Sequence, residues 1–594
     1  MSNKNLQKLE LTWIGRGEEP RLEPRILIEN PEYSYGDPTT QNMLIHGDNL
    51  LALKALEQDY AGKVKCIYID PPYNTGNAFE HYDDGVEHSL WLKLMSQRLR
   101  ILKNLLREDG VIFAQIDDSE GAYLKVLMDE IFGRNSYETT LYIQVRYGNK
   151  TLNEDNNYQK LIEQVLVYKK PLYKPNKKTI DYSIDKFCWQ IFELSSGRKE
   201  VIGGREVIIF SENEYEIKQI PASIKGLKET WATGSLVKQG GSAAEFFDLH
   251  LGKRKQQDGL NTLYKVIGMG TQGDGLGYRY ITGPKKATAS KGKFYTGIPL
   301  DKQEAIVNKT AKKEVPIVNF YDYSGSFGNC RLEGGVSFNG GKKPEELIAM
   351  LLEMGSGVDD IILDSFLGSG TTAAVAHKLN RKFIGVELGD QAKTHCYPRL
   401  KAVVDGEQGG ISKAVNWQGG GGFKFYTLAP SLLKKDKFDN FIISPDYNPE
   451  MLAAAMAKQE GFKYQPDESK FWKQGTSSEQ DFIFTTTQFL TVEALEALHD
   501  DMQPAESLLI CCKAFQQECK NRFTNVTIKK IPKVIIDRFK LNDPEEVKKF
   551  RDDYSFSIIN MPHAEDDDTD EEPSVSVQEL IDQTNTPDQP TLFD

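Results

Sequence analysis

The sequence lacks the features that mark several protein classes. Its seven cysteines among 594 residues form no Cys-x-x-Cys pair or zinc-ligand spacing, which favours reduced thiols and no metal site. The longest apolar runs fall well short of the length that crosses a membrane. Residues 1–5 contain no apolar signal-peptide segment. These absences predict a cytoplasmic protein, and the length predicts two to four domains.

Acidic residues outnumber basic ones, which gives a net charge of −13, but the charge is unevenly distributed. Residues 564–594 carry 11 acids and no Lys or Arg, which predicts a disordered acidic tail. Residues 144–315 carry 29 Lys and Arg against 19 Asp and Glu. A basic middle suits contact with phosphates, and a solvated, lysine-rich surface is the open alternative.

The motif Asp70-Pro71-Pro72-Tyr73 follows a short apolar run over residues 64–69, which is typical of a buried strand. The prolines end the strand ladder because they have no N–H to donate. The Asp70 carboxylate and the Pro71 carbonyl could each accept one N–H of a planar amine, and Tyr73 could stack on its ring. This display suits a nucleobase amine such as that of adenine. A plain turn with a capping Asp is the alternative.

The chain from 42 to 132 alternates strand and helix patterns. In order we predict a strand (42–48), a helix (49–58), the strand ending at Asp70, a loop over the site (74–87), a helix (89–107), a strand (111–116) and a helix (121–132). This alternation predicts a doubly wound α/β sheet, and one further strand is expected at 161–168. Asp48 either caps the helix that follows it or faces the same sheet edge as Asp70.

A second α/β stretch begins at Lys343, where a helix is expected to run to residue 354 with Glu345 and Glu346 at its positive end. A strand over 360–364 then leads through a glycine loop, Gly368-Ser369-Gly370, into a helix and a strand ending at Glu387. Glycines allow close approach of the backbone to a ligand, and an acid at the second strand end can accept ribose hydroxyls. An adenosine-containing cofactor is predicted, and NAD or FAD remains possible from this loop alone.

The two stretches complete each other. The first lacks a glycine-rich loop, and the second has too few strands to form a sheet alone. We therefore predict one Rossmann-like sheet in permuted order, with Phe366 beside the cofactor and Asp70 across the cleft. A nucleobase amine that faces an adenosyl cofactor indicates methyl transfer from S-adenosyl-L-methionine.

These motifs resemble the permuted (β-class) amino-methyltransferases of DNA, and more closely the modification (Mod) subunits of Type III restriction–modification systems. The segments that carry the resemblance, besides Asp70–Tyr73 and residues 366–370, are 11–15, 47–50, 116–118, 128–133 and 343–348. It is strong over about 10–170 and 340–390, whereas the region between matches only in position and size.

The resemblance implies site-specific adenine-N6 methylation of duplex DNA by base flipping, in a restriction or phage-defence system. It implies a homodimer and a restriction/helicase (Res-type) partner. Asp70, Pro71, Pro72 and Tyr73 would hold the target base. The residues implied around the cofactor are Asp48, Lys343, Phe366, Gly368, Ser369, Gly370, Thr371, Thr372 and Glu387. Asp rather than Ser at position 70 favours adenine over cytosine-N4.

Composition and pattern divide the chain further. We expect an N-terminal arm broken by prolines (1–40), a catalytic half (41–170), an inserted target-recognition domain (171–325), a cofactor-binding half (326–404), a C-terminal α/β domain for dimer or partner contact (423–560) and the tail (564–594). The inserted region reads as irregular and mostly β. Its aromatic residues Trp231, Tyr278, Tyr280 and Tyr295 are expected to be exposed and to stack on bases. An ordinary β domain is the alternative.

Two functions stay open from the sequence. The favoured one is an active adenine methyltransferase, with cytosine-N4 or RNA methylation as the variant within enzymes. The other is a recognition module that binds DNA for a partner nuclease and methylates little by itself. The intact motif at Asp70 and the glycine loop favour the first, because neither is needed for binding alone.

Overall fold

A computed structural model describes residues 11–14, 16–17, 22–23, 25–73, 84–148, 158–338, 341–435, 437 and 441–531. The chain forms two compact units, one made of Lys177–Ile317 and the other of the segments on both sides of it. The loop predicted at 74–87 for the most part, and the acidic tail, lie outside the described residues. Among the described residues, no helix is both long enough and apolar enough to span a membrane.

The first half of the larger unit alternates strands and helices from residue 43 to residue 132, as the pattern predicts. Its elements are β1 (Leu27–Glu29), β2 (Tyr35–Gly36), β3 (Met43–His46), α1 (Asn49–Tyr60), β4 (Val64–Ile69), α2 (Asp84–Leu105), β5 (Leu106–Ile116), α3 (Gly121–Phe132), β6 (Tyr137–Gln144) and β7 (Ile162–Lys169). The expectation that prolines exclude regular structure from residues 1–40 is wrong for β1 and β2. β1 lies before Pro31 and β2 after it, and both pair with the strand Gly422–Leu428.

The smaller unit, Lys177–Ile317, is mostly β, and its main sheet is more regular than expected. Its elements are β8 (Thr179–Asp181), β9 (Phe187–Glu193), β10 (Arg198–Ile202), β11 (Arg205–Phe210), β12 (Tyr215–Gln219), β13 (Leu227–Trp231), α4 (Ala243–Phe246), β14 (Leu263–Ile267), β15 (Tyr278–Thr282), β16 (Lys293–Thr296), α5 (Leu300–Val307) and β17 (Lys312–Glu314). Eight antiparallel strands follow the order β10-β11-β14-β15-β16-β13-β9-β12, and β8 pairs with β17.

Two of the four aromatic residues predicted to be exposed in this unit are buried. Tyr280 and Tyr295 face each other on β15 and β16 and are 6% and 2% exposed. The Tyr295 hydroxyl donates to Glu229 over 2.6 Å, and Tyr280 donates to Glu193. Trp231 is 55% exposed, so it remains available to a ligand.

The second half of the larger unit returns to the sheet after residue 317. Its elements are β18 (Phe320–Asp322), α6 (Ser324–Asn329), α7 (Glu345–Gly355), β19 (Ile361–Asp364), α8 (Thr371–Lys378), β20 (Lys382–Glu387), α9 (Tyr397–Val404) and β21 (Gly422–Leu428). The central sheet has the order β1-β21-β3-β20-β19-β4-β5-β7-β6-β18, with β2 beside β21. Strands from the two halves interleave, which confirms one doubly wound sheet in permuted order.

The middle of this sheet is parallel and buried on both faces. Neighbouring strands from β21 through β3, β20, β19 and β4 to β5 run parallel. The inner strands are near-continuous apolar runs, and Ile45, Ile67 and Leu363 are fully buried. Helices on both faces explain such runs, because both sides of each strand are covered. The carboxyl ends of β3, β4, β19 and β20 therefore lie at one edge.

The remaining elements form a five-stranded sheet, a separate pair of strands and two helices. They are β22 (Leu433–Lys435), β23 (Phe441–Ile443), α10 (Pro449–Glu460), β24 (Lys463–Tyr464), β25 (Gly475–Ser478), β26 (Asp481–Leu490), α11 (Val492–Asp500), β27 (Ser507–Phe515) and β28 (Val526–Lys530). The five-stranded sheet has the order β24-β25-β26-β27-β28, and the separate pair is β22 and β23. The expected boundary at 423 falls inside β21, which pairs in parallel with β3 of the central sheet. The connection between α10 and β24 contacts α1 of that core, where Gln58 donates to the carbonyl of Phe462 over 3.0 Å.

Candidate active site

The Asp70 motif and the glycine loop meet at the edge of the central sheet. β4 and β19 are parallel neighbours in which Ile67 lies opposite Leu363. Asp70 follows Ile67 by three residues, and Phe366 follows Leu363 by three residues. Adjacent strands lie about 5 Å apart. The structure therefore brings the proposed base-binding residue next to the proposed cofactor loop.

Asp70 is the centre of a cluster of charged and polar side chains. Its Oδ1 accepts a hydrogen bond from the Tyr73 hydroxyl over 2.8 Å, and its Oδ2 lies 3.0 Å from Lys343 Nζ. Glu163 Oε2 lies 2.9 Å from the same Tyr73 hydroxyl oxygen and 3.5 Å from Lys343 Nζ. Lys343 also lies 5.0 Å from the centre of the Tyr73 ring. The cluster carries two carboxylates and one ammonium group.

A second set of contacts holds this cluster in place. Gln115 donates to Glu163 Oε2 over 2.5 Å and accepts from the Tyr68 hydroxyl over 2.7 Å. Trp91 Nε1 donates to the Pro72 carbonyl over 2.8 Å, so that carbonyl is already engaged by the protein. These bonds come from β4, β5 and α2, and they fix the turn that follows β4.

Burial and charge act against each other on these groups. Burial raises the pKa of Asp70, while Lys343 opposes the shift and Glu163 adds to it. Burial alone would lower the pKa of Lys343, but the Asp70 and Glu163 carboxylates outweigh it and raise that pKa. Burial and then the Asp70 charge raise the pKa of Tyr73 well above its usual value. Lys343 is therefore an ammonium ion and Tyr73 a neutral hydroxyl near neutral pH.

The glycine loop turns sharply between β19 and α8. Gly368 and Gly370 have φ values of +56° and +81°, a region that side chains disfavour. A Cβ at Gly370 would lie 3.3 Å from Cys396 Cα, whereas a Cβ at Gly368 would meet nothing within 4 Å. Open space in front of Gly368 is what a ligand that approaches the loop backbone requires.

Glu387, at the end of β20, accepts hydrogen bonds that hold this loop in place. Its Oε2 accepts from the Gly368 N–H over 2.7 Å, and its Oε1 accepts from the Gly389 N–H over 3.1 Å. Burial raises its pKa, and these backbone donors oppose the shift. Each carboxylate oxygen has further lone pairs, so the ribose contact implied for Glu387 stays a prediction.

Asp48 caps the helix that follows it. Its Oδ1 accepts from the Leu51 N–H over 3.0 Å, and its Oδ2 accepts from Arg98 Nη2 over 3.2 Å. Asn49 reaches the glycine loop, since its Nδ2 donates to the Ser365 carbonyl over 2.6 Å. The capping alternative is therefore observed, and a cofactor contact by Asp48 stays a prediction.

The hydroxyl groups of Ser369, Thr371 and Thr372 form hydrogen bonds within the protein. Thr371 Oγ1 accepts from Arg399 Nη1 over 2.7 Å and lies 3.2 Å from Ser369 Oγ. Thr372 is hydrogen-bonded to Asp364, whose Oδ1 also accepts from the Phe366 N–H over 2.9 Å. Burial raises the pKa of Asp364 to about 7, so this carboxyl changes charge near neutral pH. The cofactor roles of Ser369, Thr371 and Thr372 stay predictions.

Several of these residues were not identified from the sequence. Glu163, Gln115 and Arg98 lie in segments that the pattern assigned only to sheet or helix. Glu163 offers the clearest missed signal, because an acid in the apolar segment 161–168 is unusual for a strand that packs inside a sheet. Among the described residues, no group of three or more His, Cys, Asp or Glu side chains could hold a metal ion.

Comparisons with known proteins identify the family to which this chain belongs. A family model described as DNA methylase matches residues 64–397. The probable type III restriction-modification enzyme HindVI Mod subunit of Haemophilus influenzae is 35% identical over 68% of this chain and 56% of its own length. The EcoP15I Mod subunit of Escherichia coli is 27% identical over 74% of this chain and 76% of its length. The match therefore spans little more than half of the first relative.

A solved structure of the PvuII DNA methyltransferase (cytosine-N4-specific) aligns with 64% of this chain and 90% of its own, at 12% identity and a TM-score of 0.30. The family model is the stronger comparison, because its match covers more than half of the chain and contains Asp70, the glycine loop and Glu387. The chain belongs to the DNA methylase family.

Proposed function

We propose that this protein transfers a methyl group from S-adenosyl-L-methionine to the N6 amine of an adenine in duplex DNA, as the Mod subunit of a Type III restriction–modification system. The observation that carries the proposal is the meeting of Asp70–Tyr73 with the glycine loop at one sheet edge. The names of the Mod relatives support the assignment to such a system.

The residues of the loop fit the cofactor. A Cβ at Gly368 would meet nothing within 4 Å, so there is open space beside its backbone. Glu387 accepts a hydrogen bond from the Gly368 N–H and so holds the turn in place. Phe366 immediately precedes this loop and is partly buried against the core, and its apolar ring suits the cofactor's adenosyl or methionyl portion. When bound, S-adenosyl-L-methionine supplies a methyl group on a positively charged sulfur, which departs as a neutral thioether with the electrons of the S–C bond.

Asp70 and Pro71 would bind and orient the amine. Two N–H acceptors favour a tetrahedral nitrogen whose lone pair faces the methyl group, and they stabilise the positive charge that develops there. Asp70 then accepts the proton that the methylated nitrogen releases. The target base must leave the helix stack to reach this edge, because its amine is otherwise paired.

We assign recognition of DNA to the unit Lys177–Ile317, which holds most of the basic middle of the sequence. Trp231 supports this assignment because its ring is 55% exposed and lies 4.6 Å from Lys293 Nζ. An exposed ring beside a cation suits a base and its phosphate. A homodimer, a Res-type partner and a cytoplasmic location belong to the same proposal, since each follows from the role of a Mod subunit.

The test is a labelling experiment. Purified protein and its Asp70→Ala variant are incubated with methyl-labelled S-adenosyl-L-methionine and mixed duplex DNA, and the DNA is digested to nucleosides. Label in N6-methyladenine from the unmodified protein alone is the expected result. Label in N4-methylcytosine would overturn the base assignment, and DNA binding without label would favour a recognition module. Light scattering of the same sample tests the dimer.

A further inference from the structure

Two residues that precede and follow the inserted unit in the sequence belong to the cluster around Asp70. Glu163 lies on β7 before the insertion, and Lys343 lies just before α7 after it. Lys343 Nζ lies 3.0 Å from Asp70 Oδ2 and 3.5 Å from Glu163 Oε2, and Lys343 is only 7% exposed at its side chain. The Tyr73 hydroxyl oxygen lies 2.8 Å from Asp70 Oδ1 and 2.9 Å from Glu163 Oε2.

Asp70 has two requirements that conflict. It must be ionised before the reaction, because only the carboxylate can take up a proton, and this favours a low pKa. It must also be basic enough to take the proton from the methylated nitrogen, which favours a high pKa. The groups that act on it are Lys343, Glu163 and Tyr73, with Tyr68 and Asp364 nearby. Lys343 is the one cation in this set of described residues.

We propose that Lys343 and Glu163 are positioning residues that together tune Asp70 as the base of the reaction. Lys343 favours the ionised carboxylate, and Glu163 opposes it with a second negative charge while it holds Lys343 and Tyr73 in place. This inference rests on the methyl transfer proposed above.

The two charges act on Asp70 in opposite directions. Lys343 lowers the pKa of Asp70 and Glu163 raises it, against the larger effect of burial, which raises it. Neutralising Lys343 should therefore make Asp70 protonate at higher pH, and neutralising Glu163 should make it protonate at lower pH. A purely structural role for either residue would reduce activity at every pH alike.

The experiment measures the single-turnover methylation rate against pH at saturating cofactor and DNA. For Lys343→Met we expect the acid limb of the profile to move up by about 1 to 3 pH units. For Glu163→Gln, which keeps an oxygen that accepts from Lys343 and Tyr73, we expect a downward shift. Lys343→Arg keeps the charge and should leave the limb where it is.

Matched controls separate local from general charge effects. Lys65→Met removes a lysine from the other end of β4, where it pairs with Asp109 at 3.0 Å. Glu138→Gln removes an acid of β6 that pairs with Lys169. Both variants should keep the acid limb of the unmodified protein.

The outcomes distinguish this inference from the proposed function. Shifts of opposite sign for Lys343→Met and Glu163→Gln support it. Unshifted limbs, or shifts of the same sign, in a protein that does methylate DNA would overturn it. Absence of methylation by the unmodified protein would instead refute the proposed function. Should Lys343→Met fail to fold, the sign of the Glu163→Gln shift decides alone.

Discussion

Glu345 offers the sharpest test of how the core around the glycine loop is held together. This residue is the first of α7. From the sequence, Glu345 and Glu346 were both expected to interact with the positive end of the helix dipole. The structure shows a different role. Glu345 Oε2 lies 2.7 Å from Lys378 Nζ and Oε1 lies 2.8 Å from Arg399 Nη2, and all three side chains are fully buried.

We predict that Glu345→Gln lowers the free energy of unfolding by about 3 kcal/mol. Removing one partner of a buried ion pair costs about 3 to 5 kcal/mol, because the remaining charge is left uncompensated. The lower end applies here because Lys378 keeps its ion pair with Glu407, and Gln fills the same volume. Arg399 loses its partner, and its hold on Thr371 at 2.7 Å weakens with it.

The assay is urea unfolding followed by circular dichroism, with Glu346→Gln as the control. Glu346 is the next residue of the same helix turn and is exposed, so its loss should cost within about 0.5 kcal/mol. Equal stability of the two variants would refute the buried-charge argument.

The pH dependence gives a second check of the same reasoning. Burial acts to raise the pKa of Glu345, but Arg399 and Lys378 outweigh it and hold that pKa below 4.5 in the folded state. A carboxyl with a depressed folded pKa stabilises the protein above its unfolded pKa and loses this effect as the pH falls. The difference between the unmodified protein and Glu345→Gln should therefore shrink below pH 4.5.

Three further variants test the site and the recognition unit. Gly370→Ala should weaken cofactor binding measured by calorimetry, because a Cβ meets Cys396 at 3.3 Å and the φ of +81° disfavours a side chain by about 1 to 2 kcal/mol. Trp91→Phe removes the hydrogen bond to the Pro72 carbonyl, so turnover should fall while cofactor affinity stays the same. Trp231→Ala should weaken DNA binding by about 1 to 3 kcal/mol in fluorescence anisotropy and leave cofactor binding unchanged; an unchanged affinity would remove the stacking role.

The meeting of Asp70 and Phe366 could be predicted because it depends only on strand order within a sheet. Both residues follow short apolar strands, and parallel strands of a doubly wound sheet present their carboxyl ends at one edge. No side-chain detail is needed for that conclusion. That β4 and β19 are direct neighbours was not predicted and comes from the structure.

Glu163 could not be placed in the same way because its contact depends on antiparallel register. β7 runs against β5, with Val165 opposite Gln115. A shift of one residue would turn every side chain of the strand to the other face. The sequence of β7 shows which residues share a face, but it does not show which face meets Asp70.

The same limit explains the aromatic residues of the smaller unit. Trp231, Tyr280 and Tyr295 all occur in basic, β-rich segments, and composition treats them alike. Burial separates them, because the two tyrosines find carboxylate partners inside the unit and Trp231 does not enter its core. A buried Tyr needs a partner for its hydroxyl, and only the folded sheet supplies it.

β21 belongs to the central sheet, although its position in the sequence suggested that it begins the C-terminal domain. Residues 422–428 follow a glycine-rich connection, which suggested the start of a new domain, yet Phe425 lies opposite Leu44 in the central sheet. A strand added beside β3 covers an edge whose unpaired N–H and C=O groups would otherwise invite pairing with another chain. β1 then pairs with the outer side of β21, so the N-terminal segment and the end of the core protect this edge together. The strand that borders β3 in the central sheet therefore comes from beyond residue 404, and the C-terminal elements follow it along the chain.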